Sequence, residues 1–259
     1  MRVILQATML KLISVNMEGE KHFPRVLNLI KTETPDVVCL QECPESFQLN
    51  LHSLGYQTSF LPMQRQIQND VEYTEGLAFA SKLPFSSIHK YYYQPDRVLP
   101  FQPVPTPKPL MHHGYILGTI MHDNVEYHLA TTHIMITPDG LPTEHQTQGV
   151  KKLMTQVVME KPHVLCGDFN IPRGFNPLYD ELTKVYTDMI PKEYSSSLDQ
   201  NLHRLGKTQN LNAPIFDIYM VDYLFSKPEY TLSNVRLQFG VSDHAAIVAT
   251  ISKTPVEQK

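Results

Sequence analysis

The sequence predicts an α/β protein of two mixed β-sheets packed face to face, with helices on the outer faces. Three observations lead to this fold class. Apolar runs of strand length recur along the chain, and several are continuous, as in strands buried on both faces. Amphipathic helical patterns lie between these runs. The alternating order of elements alone would also fit a single doubly wound sheet.

The elements follow one another from the N-terminus. In chain order the predicted strands read LKLISV, DVVCL, EGLAFA, YHLATT, HVLCG, IYMVDYLF and AAIVATI. The first helix is predicted between the first two strands, where apolar residues repeat at the spacing of one helix face: Phe23, Val26, Leu27 and Ile30.

Two further helices carry start signals as well as an apolar face. Residues Thr143 to Gln146 match a capping box, and the apolar face that follows comprises Val150, Leu153, Met154, Val157 and Val158. Asn176 places a capping residue before Pro177 at the first helical position, and the apolar residues after it are Leu178, Leu182 and Val185.

The domain organisation is predicted from length and from one change in composition. A chain of 259 residues can form one large domain or two small ones. Segment 94–109 is dense in proline, which indicates an extended surface loop or a linker between domains. Because strand-like runs of the same type lie on both sides of it, we expect a single domain over residues 1–259.

Charge and hydropathy exclude some classes of protein. The formal charge of −4 excludes a globally basic nucleic-acid binder, although not a local basic groove. No apolar run approaches the roughly 18 residues that span a bilayer, and the N-terminus lacks the order of features of a signal peptide. The three cysteines fit neither a disulfide framework nor a zinc site. We therefore expect a cytoplasmic monomer that does not insert into membranes.

Polar residues stand at or near the ends of several apolar runs. A carboxylate or imidazole beside a buried strand costs desolvation energy unless it is paired or binds a metal. Each such residue alone also fits a structural role, such as a capped turn or a hydrogen-bonded core histidine. Together, on one rim of a sheet, they predict a cleft of oxygen ligands and histidines, formed by Asn16, Glu42, His133, Asp168, Asn170, Asp222, Asp243 and His244.

These residues and their neighbours resemble the endonuclease/exonuclease/phosphatase superfamily. The resemblance rests on Asn16, Leu40-Gln41-Glu42, Thr132-His133, Gly167-Asp168-Phe169-Asn170, Val221-Asp222-Tyr223 and Ser242-Asp243-His244, and it runs from about residue 10 to residue 252. It implies a four-layered α/β sandwich and cleavage of a phosphate ester that depends on Mg²⁺, with Mn²⁺ able to substitute. Mg²⁺ prefers oxygen ligands and often needs only one or two carboxylates, which the cleft would supply.

The resemblance also implies a role for each residue of the cleft. Glu42 is expected to be the principal metal ligand, with Asn16 beside it and Asp243 close by. Asp168 is expected to position or deprotonate the attacking water, and Asn170 to hold a phosphate oxygen.

The histidines complete these expectations. His244, oriented by Asp222, is expected to bind the phosphate, and His133 to be a second phosphate contact or the proton donor to the leaving oxygen. Glu75 resembles the acid that pairs with this second histidine in pancreatic-type deoxyribonucleases. A neighbouring carboxylate favours imidazolium, so both histidines are expected to have raised pKa values.

The sequence indicates the type of reaction more clearly than it indicates the substrate. The chain has no tryptophan, and Met220-Val221-Asp222 does not match the pattern of abasic-site endonucleases. Val221-Asp222-Tyr223 does not match the segment typical of inositol 5-phosphatases. Ser197-Leu198-Asp199 is loosely similar to a Thr-Trp-Asp segment of tyrosyl-DNA phosphodiesterases. We expect a phosphodiesterase or nuclease that uses an activated water. A phosphoesterase directed at phospholipids or inositol phosphates, or a non-catalytic binding module of this fold, remains as an alternative.

One surface feature has two interpretations. Tyr91-Tyr92-Tyr93 precedes the proline-rich segment, and basic side chains lie nearby: Arg97, Lys108, His112 and His113. Together they could form a wall that stacks on bases and contacts phosphates, or the tyrosines could simply end a strand.

Overall fold

A computed structural model describes residues 8–68, 71–93, 101–102, 112–158, 163–207 and 215–253. The strands in these ranges are β1 (Met9–Asn16), β2 (Val37–Pro44), β3 (Gln57–Gln68), β4 (Val71–Ser81), β5 (Phe85–Tyr92), β6 (Phe101–Gln102), β7 (Gly114–His122), β8 (Val125–His133), β9 (Val164–Asp168), β10 (Thr187–Asp188), β11 (Asp222–Ser226), β12 (Tyr230–Gln238) and β13 (Ala246–Lys253). The helices are α1 (Phe23–Glu33), α2 (Phe47–Ser53), α3 (Glu144–Val158), α4 (Leu178–Thr183), α5 (Arg204–Lys207) and α6 (Ile215–Ile218).

The strands form two mixed sheets. The seven-stranded sheet has the order β12-β13-β1-β2-β4-β3-β6, and the six-stranded sheet has the order β10-β11-β9-β8-β7-β5. Each sheet contains parallel as well as antiparallel pairs; β1 runs parallel to β2, and β8 runs parallel to β9. The predicted fold class, two mixed sheets with helices outside, is confirmed.

The side chains of the seven-stranded sheet alternate between two layers, as the period of a strand requires. Leu10 and Leu12 of β1 face the core between the sheets, with Phe79 of β4 and Leu165 of β9. The alternate residues of the same sheet pack against the helices α1 and α2, in a cluster that includes Ile13, Val15, Val26, Ile30 and Phe47. The continuous apolar runs in the sequence therefore reflect strands buried on both faces.

Both sheets take strands from both sides of the proline-rich segment. Strand β13 pairs with β1 in the seven-stranded sheet, and β5 pairs with β7 in the six-stranded sheet. A division of the chain near residues 94–109 would therefore separate paired strands in both sheets.

The predicted helix starts hold in part. Thr143 Oγ1 accepts a hydrogen bond from Gln146 N at 3.1 Å, as a capping box requires. The Gln146 side chain does not return this bond; its Nε2 donates instead to Met135 O and Asn170 O. Asn176 Oδ1 accepts from Leu178 N at 3.0 Å, as expected of a capping residue, but the helix begins at Leu178 and not at Pro177. The helix itself ends at Thr183, before Val185.

The sequence missed several strands and overextended one. Strands β3, β5, β7 and β12 were not predicted; β5 and β12 are rich in exposed or half-buried polar residues and give no apolar run. The run IYMVDYLF was predicted as one strand, yet Ile218 ends α6 and the strand begins only at Asp222.

The proposed tyrosine wall is only partly within the described residues. Arg97, Lys108 and most of segment 94–109 lie outside them. Tyr93 is buried with its hydroxyl 2.6 Å from Thr132 Oγ1, and Tyr91 stacks on Tyr115. These contacts favour the interpretation of the tyrosines as a strand end. Among the described helices, none is long and apolar enough to cross a membrane.

Candidate active site

The polar residues predicted at strand ends meet at one edge of the sandwich. His133, Asp168 and Asp222 occupy directly opposed positions on three neighbouring strands, β8, β9 and β11. On the facing sheet, Asn16 ends β1 next to Gln41 of β2. Asn16 Nδ2 donates to Asp168 Oδ2 at 3.0 Å and thereby joins the two sheets across the cleft.

Glu42 reaches the cleft through an irregularity in β2. The register between β2 and β4 shifts between Leu40 and Cys43, and Glu42 itself has φ 48°, in the left-handed region. Such a bulge re-aims a side chain at the cost of local backbone strain. Glu42 Oε1 accepts a hydrogen bond from Asn16 Nδ2 at 3.2 Å, so the same amide holds the carboxylates of Glu42 and Asp168.

The electrostatics of Glu42 fit a bound cation. Burial, followed by the negative charge of Asp243, raises the pKa of Glu42 to about 7, although the bond from Asn16 lowers it. Carboxylates that are crowded and desolvated in this way are stabilised by a divalent ion. Asp243 also belongs to a group with Glu18 and His22 whose ligand atoms lie within 4.8 Å of one another. The cleft therefore offers oxygen ligands that could hold a metal ion.

Asp168 lies 1% exposed at the end of β9, held from two sides. Its Oδ1 accepts a hydrogen bond from Asn170 N at 2.9 Å, while its Oδ2 accepts from Asn16. Burial and the charge of Asp222 raise the pKa of Asp168, and the two histidines of the cleft partly oppose this shift. A fixed carboxylate with a raised pKa is a stronger base than an ordinary aspartate.

Asn170 turns the chain at the cleft with φ 51°. Its Nδ2 donates to Ile134 O at 2.8 Å and lies 3.3 Å from His133 Nε2. The amide is therefore fixed beside His133 and Asp168.

His244 forms the predicted pair with Asp222. Its Nδ1 lies 2.7 Å from Asp222 Oδ2 and 3.9 Å from Asp168 Oδ2. Burial alone would lower the pKa of His244, but the charges of Asp222 and Asp168 outweigh it and raise the pKa well above its usual value. The raised pKa expected for this histidine is confirmed.

Ser197 supports this pair from behind and is fully buried. Its hydroxyl donates to Asp222 Oδ2 at 2.6 Å and accepts from the backbone N–H groups of Val221 and Asp222. The adjacent Leu198 is 8% exposed and bridges to His244 as an isolated β-pair, so it presents no stacking surface.

His133 does not have the predicted raised pKa. Burial lowers its pKa, and the charge of His244 adds to this effect, while Asp168, 3.5 Å from Nε2, opposes it. Nδ1 of His133 is buried and has no hydrogen-bond partner within the described parts of the chain. An imidazolium would need an acceptor at this atom, so the neutral form is favoured.

The predicted pairing of Glu75 with His133 is wrong in this structure. Glu75 lies opposite Gln64 and Pro44 in the sheet, and its carboxylate accepts hydrogen bonds from Gln64 Nε2 at 2.5 Å and from Gln66 Nε2. Burial and the charge of Glu42 raise the pKa of Glu75 to about 8, so it is mostly protonated at neutral pH. No ion pair joins it to His133 among the residues described.

The cleft contains further side chains that do not belong to the predicted set at strand ends; of these, the sequence had indicated only His113, as part of the possible tyrosine wall. It has a volume of about 300 Å³, and its wall also includes Glu18, Lys21, His113, His203 and Arg204. Glu18 follows Asn16 by two residues and has φ 51°, which an acidic residue before glycine could have indicated. Lys21, His203 and Arg204 do not lie at the end of a predicted strand, so no sequence pattern indicated that they belong to the cleft. Together the cleft combines carboxylates for a cation, a buried base and donors for a phosphate.

Comparisons with known proteins identify the family and the fold. The sequence profile of the Endonuclease/Exonuclease/phosphatase family matches residues 13–244. A comparison with curated protein sequences gives no match. An endonuclease/exonuclease/phosphatase from Beutenbergia cavernae is similar in structure, with a TM-score of 0.72 and 16% identity over 95% of this chain and 72% of that one.

Two further solved structures share the fold. The human nocturnin catalytic domain, solved with a bound sulfate, has a TM-score of 0.64 and 17% identity over 96% of this chain and 97% of its own. ANGEL2, described as a 2',3'-cyclic phosphatase, has a TM-score of 0.65 and 17% identity over 96% of each chain. At these identities the structures show a common fold.

Proposed function

Because the chain belongs to the endonuclease/exonuclease/phosphatase family, whose members are metal-dependent phosphoesterases and nucleases, we propose that it is a Mg²⁺-dependent phosphodiesterase. The observation that carries the proposal is the Asn16 amide, which holds Glu42 at 3.2 Å and Asp168 at 3.0 Å. This contact places a carboxylate suited to a cation directly beside a carboxylate suited to act as a base.

Glu42 and Asp243 are the residues proposed to hold the cation. Asn16 turns its amide nitrogen toward the carboxylates, and its Oδ1 accepts from Glu18 N, so its main part is to position Glu42. When bound, Mg²⁺ neutralises the charge that develops on the phosphate oxygens.

Asp168 is proposed to orient the attacking water and to take its proton. The hydrogen bonds from Asn16 and Asn170 fix the carboxylate, and its raised pKa favours proton uptake. Water would then attack phosphorus while the phosphate is held by the histidine and asparagine side chains that adjoin Asp168.

His244, Asn170 and His133 are proposed to bind the phosphate. His244 is favoured as a cation by Asp222 and stabilises negative charge, whereas neutral His133 and the Asn170 amide supply hydrogen bonds. The leaving oxygen needs a proton. Because the pKa of His133 is lowered, its ring is neutral, and the proton would come from His244 or from water.

The three cysteines Cys39, Cys43 and Cys166 are unpaired and buried. Free thiols of this kind support a reducing compartment, and we propose the cytoplasm.

The test is hydrolysis of bis(p-nitrophenyl) phosphate by the purified protein. We expect turnover with Mg²⁺ or Mn²⁺, its loss on addition of EDTA and its return with excess metal. A protein that binds metal and shows no turnover with this diester would instead be the non-catalytic binding module. Turnover that survives EDTA would contradict the dependence on metal.

A further inference from the structure

His113 lies on the wall of the cleft and has no part in the chemistry proposed above. It directly precedes β7, whose first residue, Gly114, is paired with His133 in the sheet. The His113 side chain is 7% exposed, and its ring stands nearly perpendicular to that of His133, with centroids 5.4 Å apart. The imidazole is therefore held firmly next to the proposed phosphate site.

One hydrogen bond sets the tautomer of His113. Its Nδ1 lies 3.0 Å from the backbone oxygen of His133, and a carbonyl oxygen can only accept, so Nδ1 carries the proton. Burial and then the charge of His133 lower the pKa of His113 well below its usual value. The ring is accordingly neutral, and its other nitrogen, Nε2, is an acceptor.

Nε2 of His113 makes no hydrogen bond within the described part of the chain. An acceptor cannot hold a phosphate oxygen, because both atoms carry lone pairs and partial or full negative charge. The other side chains at this wall differ: Asn170 and His244 supply donors, and the carboxylates of Glu42, Asp168 and Asp222 already accept hydrogen bonds from Asn16, Asn170 and His244. Nε2 of His113 would therefore pair with a hydrogen-bond donor of the substrate that lies beside the phosphate.

We propose that His113 accepts a hydrogen bond from a substrate hydroxyl on the carbon next to the one that carries the scissile phosphate. Ribose supplies such a hydroxyl and deoxyribose does not; inositol phosphates supply it as well. The inference rests on the proposed function, since it assigns the substrate class of the same site. His113 would act as a specificity-determining residue.

The experiment compares matched substrates that differ by this hydroxyl. Wild-type protein is assayed with a diribonucleotide monophosphate and its 2′-deoxy analogue, and separately with an inositol phosphate and its analogue deoxygenated next to the phosphate. We expect kcat/KM to be about 10-fold or more higher for the hydroxyl-bearing member of one pair, because without the hydroxyl the bound substrate covers Nε2 and gives it no donor. The pair that shows the preference identifies the source of the hydroxyl.

Two variants assign the preference to His113. His113→Phe keeps a ring without nitrogen, and His113→Asn keeps a donor that can reach the His133 oxygen but lacks Nε2. In both, the ratio of kcat/KM between paired substrates should fall toward one. The matched control is His145→Phe, an exposed histidine of α3 that does not line the cleft, and it should keep the wild-type ratio.

The outcomes separate this inference from the proposed function. A wild-type protein that hydrolyses bis(p-nitrophenyl) phosphate but treats both members of each pair alike, or turns over neither pair, overturns the inference and leaves the proposed function standing. A ratio that persists in both His113 variants also overturns it. Absence of any metal-dependent diester hydrolysis would overturn both.

Discussion

Glu42 reaches the cleft only because β2 is irregular between Leu40 and Cys43. We predict that Glu42→Gln weakens Mn²⁺ or Mg²⁺ binding by about 100-fold or more, since even partners outside the ligand shell contribute 10–100-fold. Isothermal titration measures the affinity. Glu45→Gln, an exposed carboxylate three residues along the chain, is the matched control and should bind normally. An unchanged affinity in Glu42→Gln would place the metal elsewhere.

Asp168 is expected to matter in the transition state more than in binding. We predict that Asp168→Asn lowers kcat by about 10²–10⁴-fold with a much smaller change in KM, because the amide cannot take a proton from water. Steady-state kinetics on bis(p-nitrophenyl) phosphate give both constants, with exposed Asp180→Asn as the control. A variant that retains a tenth of wild-type kcat would rule out this role.

His244 allows a test of the electrostatics without substrate. In the metal-free protein, Asp222 is the largest influence that raises the pKa of His244, against the lowering effect of burial. Loss of that negative charge destabilises imidazolium, so the pKa should fall in Asp222→Asn. An NMR titration of the histidine ring in the presence of EDTA measures both proteins. The same pKa in both would show that Asp222 does not tune His244.

The sequence was informative about which residues form the cleft and less so about how they pair. Polar residues at the ends of buried runs, such as Asn16 and Asp168, could be identified because burial of a lone polar group is costly. The pairing of Glu75 could not, since it depends on the register between β3 and β4, which places Gln64 and Gln66 around the carboxylate. The lowered pKa of His133 could not be predicted either, because it results from burial of the ring in the folded protein.

At the scale of the elements, the contact between β8 and β9 depends on Gly167. Its φ is 137°, and a Cβ atom there would lie 2.0 Å from Thr132 O, a backbone atom that cannot move aside. We predict that Gly167→Ala lowers the free energy of unfolding by at least about 1–3 kcal/mol, the usual cost of backbone strain. Urea unfolding followed by circular dichroism measures the loss.

Gly149 in α3 provides a control of opposite sign. A Cβ atom at Gly149 meets only Tyr93 Cδ2 at 3.9 Å, an ordinary contact. Gly149→Ala should therefore raise the free energy of unfolding by up to about 1 kcal/mol through helix propensity. If Gly167→Ala were as stable as Gly149→Ala, the close approach of the two strands would be refuted.

The strands that the sequence predicted are mostly buried on both faces, although β7, which is equally buried, was missed. β1 and β9 give continuous apolar runs, and α1 repeats at the helical spacing. β12 alternates with exposed residues at the edge of its sheet, where solvent accepts polar side chains, so no run marks it. Met220 and Val221 are as buried as a strand yet precede β11, which is why composition alone misplaced its start.

At the scale of the whole molecule, strands from both sides of segment 94–109 pair in each sheet. This pairing predicts that the chain unfolds as one unit. We expect a single cooperative transition in urea, with the same midpoint by circular dichroism and by tyrosine fluorescence. In each sheet, strands from before the segment pair with strands from after it. Neither part of the chain should therefore stay folded when the other unfolds. Two separate transitions would instead indicate two independent cores.

The two-sheet architecture could be predicted from the runs together with the family resemblance, because alternation alone also fits a single sheet. What the sequence could not show is the contact that unites the sheets at the cleft. Asn16 and Asp168 are separated by 152 positions, and no local pattern connects them.

The pairing of β1 with β13 also governs the order of events during synthesis. Met9 lies opposite Ser252, so β1, which is synthesised before the other described strands, pairs on this side only after β13 has been made. Until then β1 presents unpaired backbone groups to other chains, and contacts this distant in sequence form slowly. We therefore expect the nascent protein to be prone to association at this stage, and slower translation to lengthen the exposure.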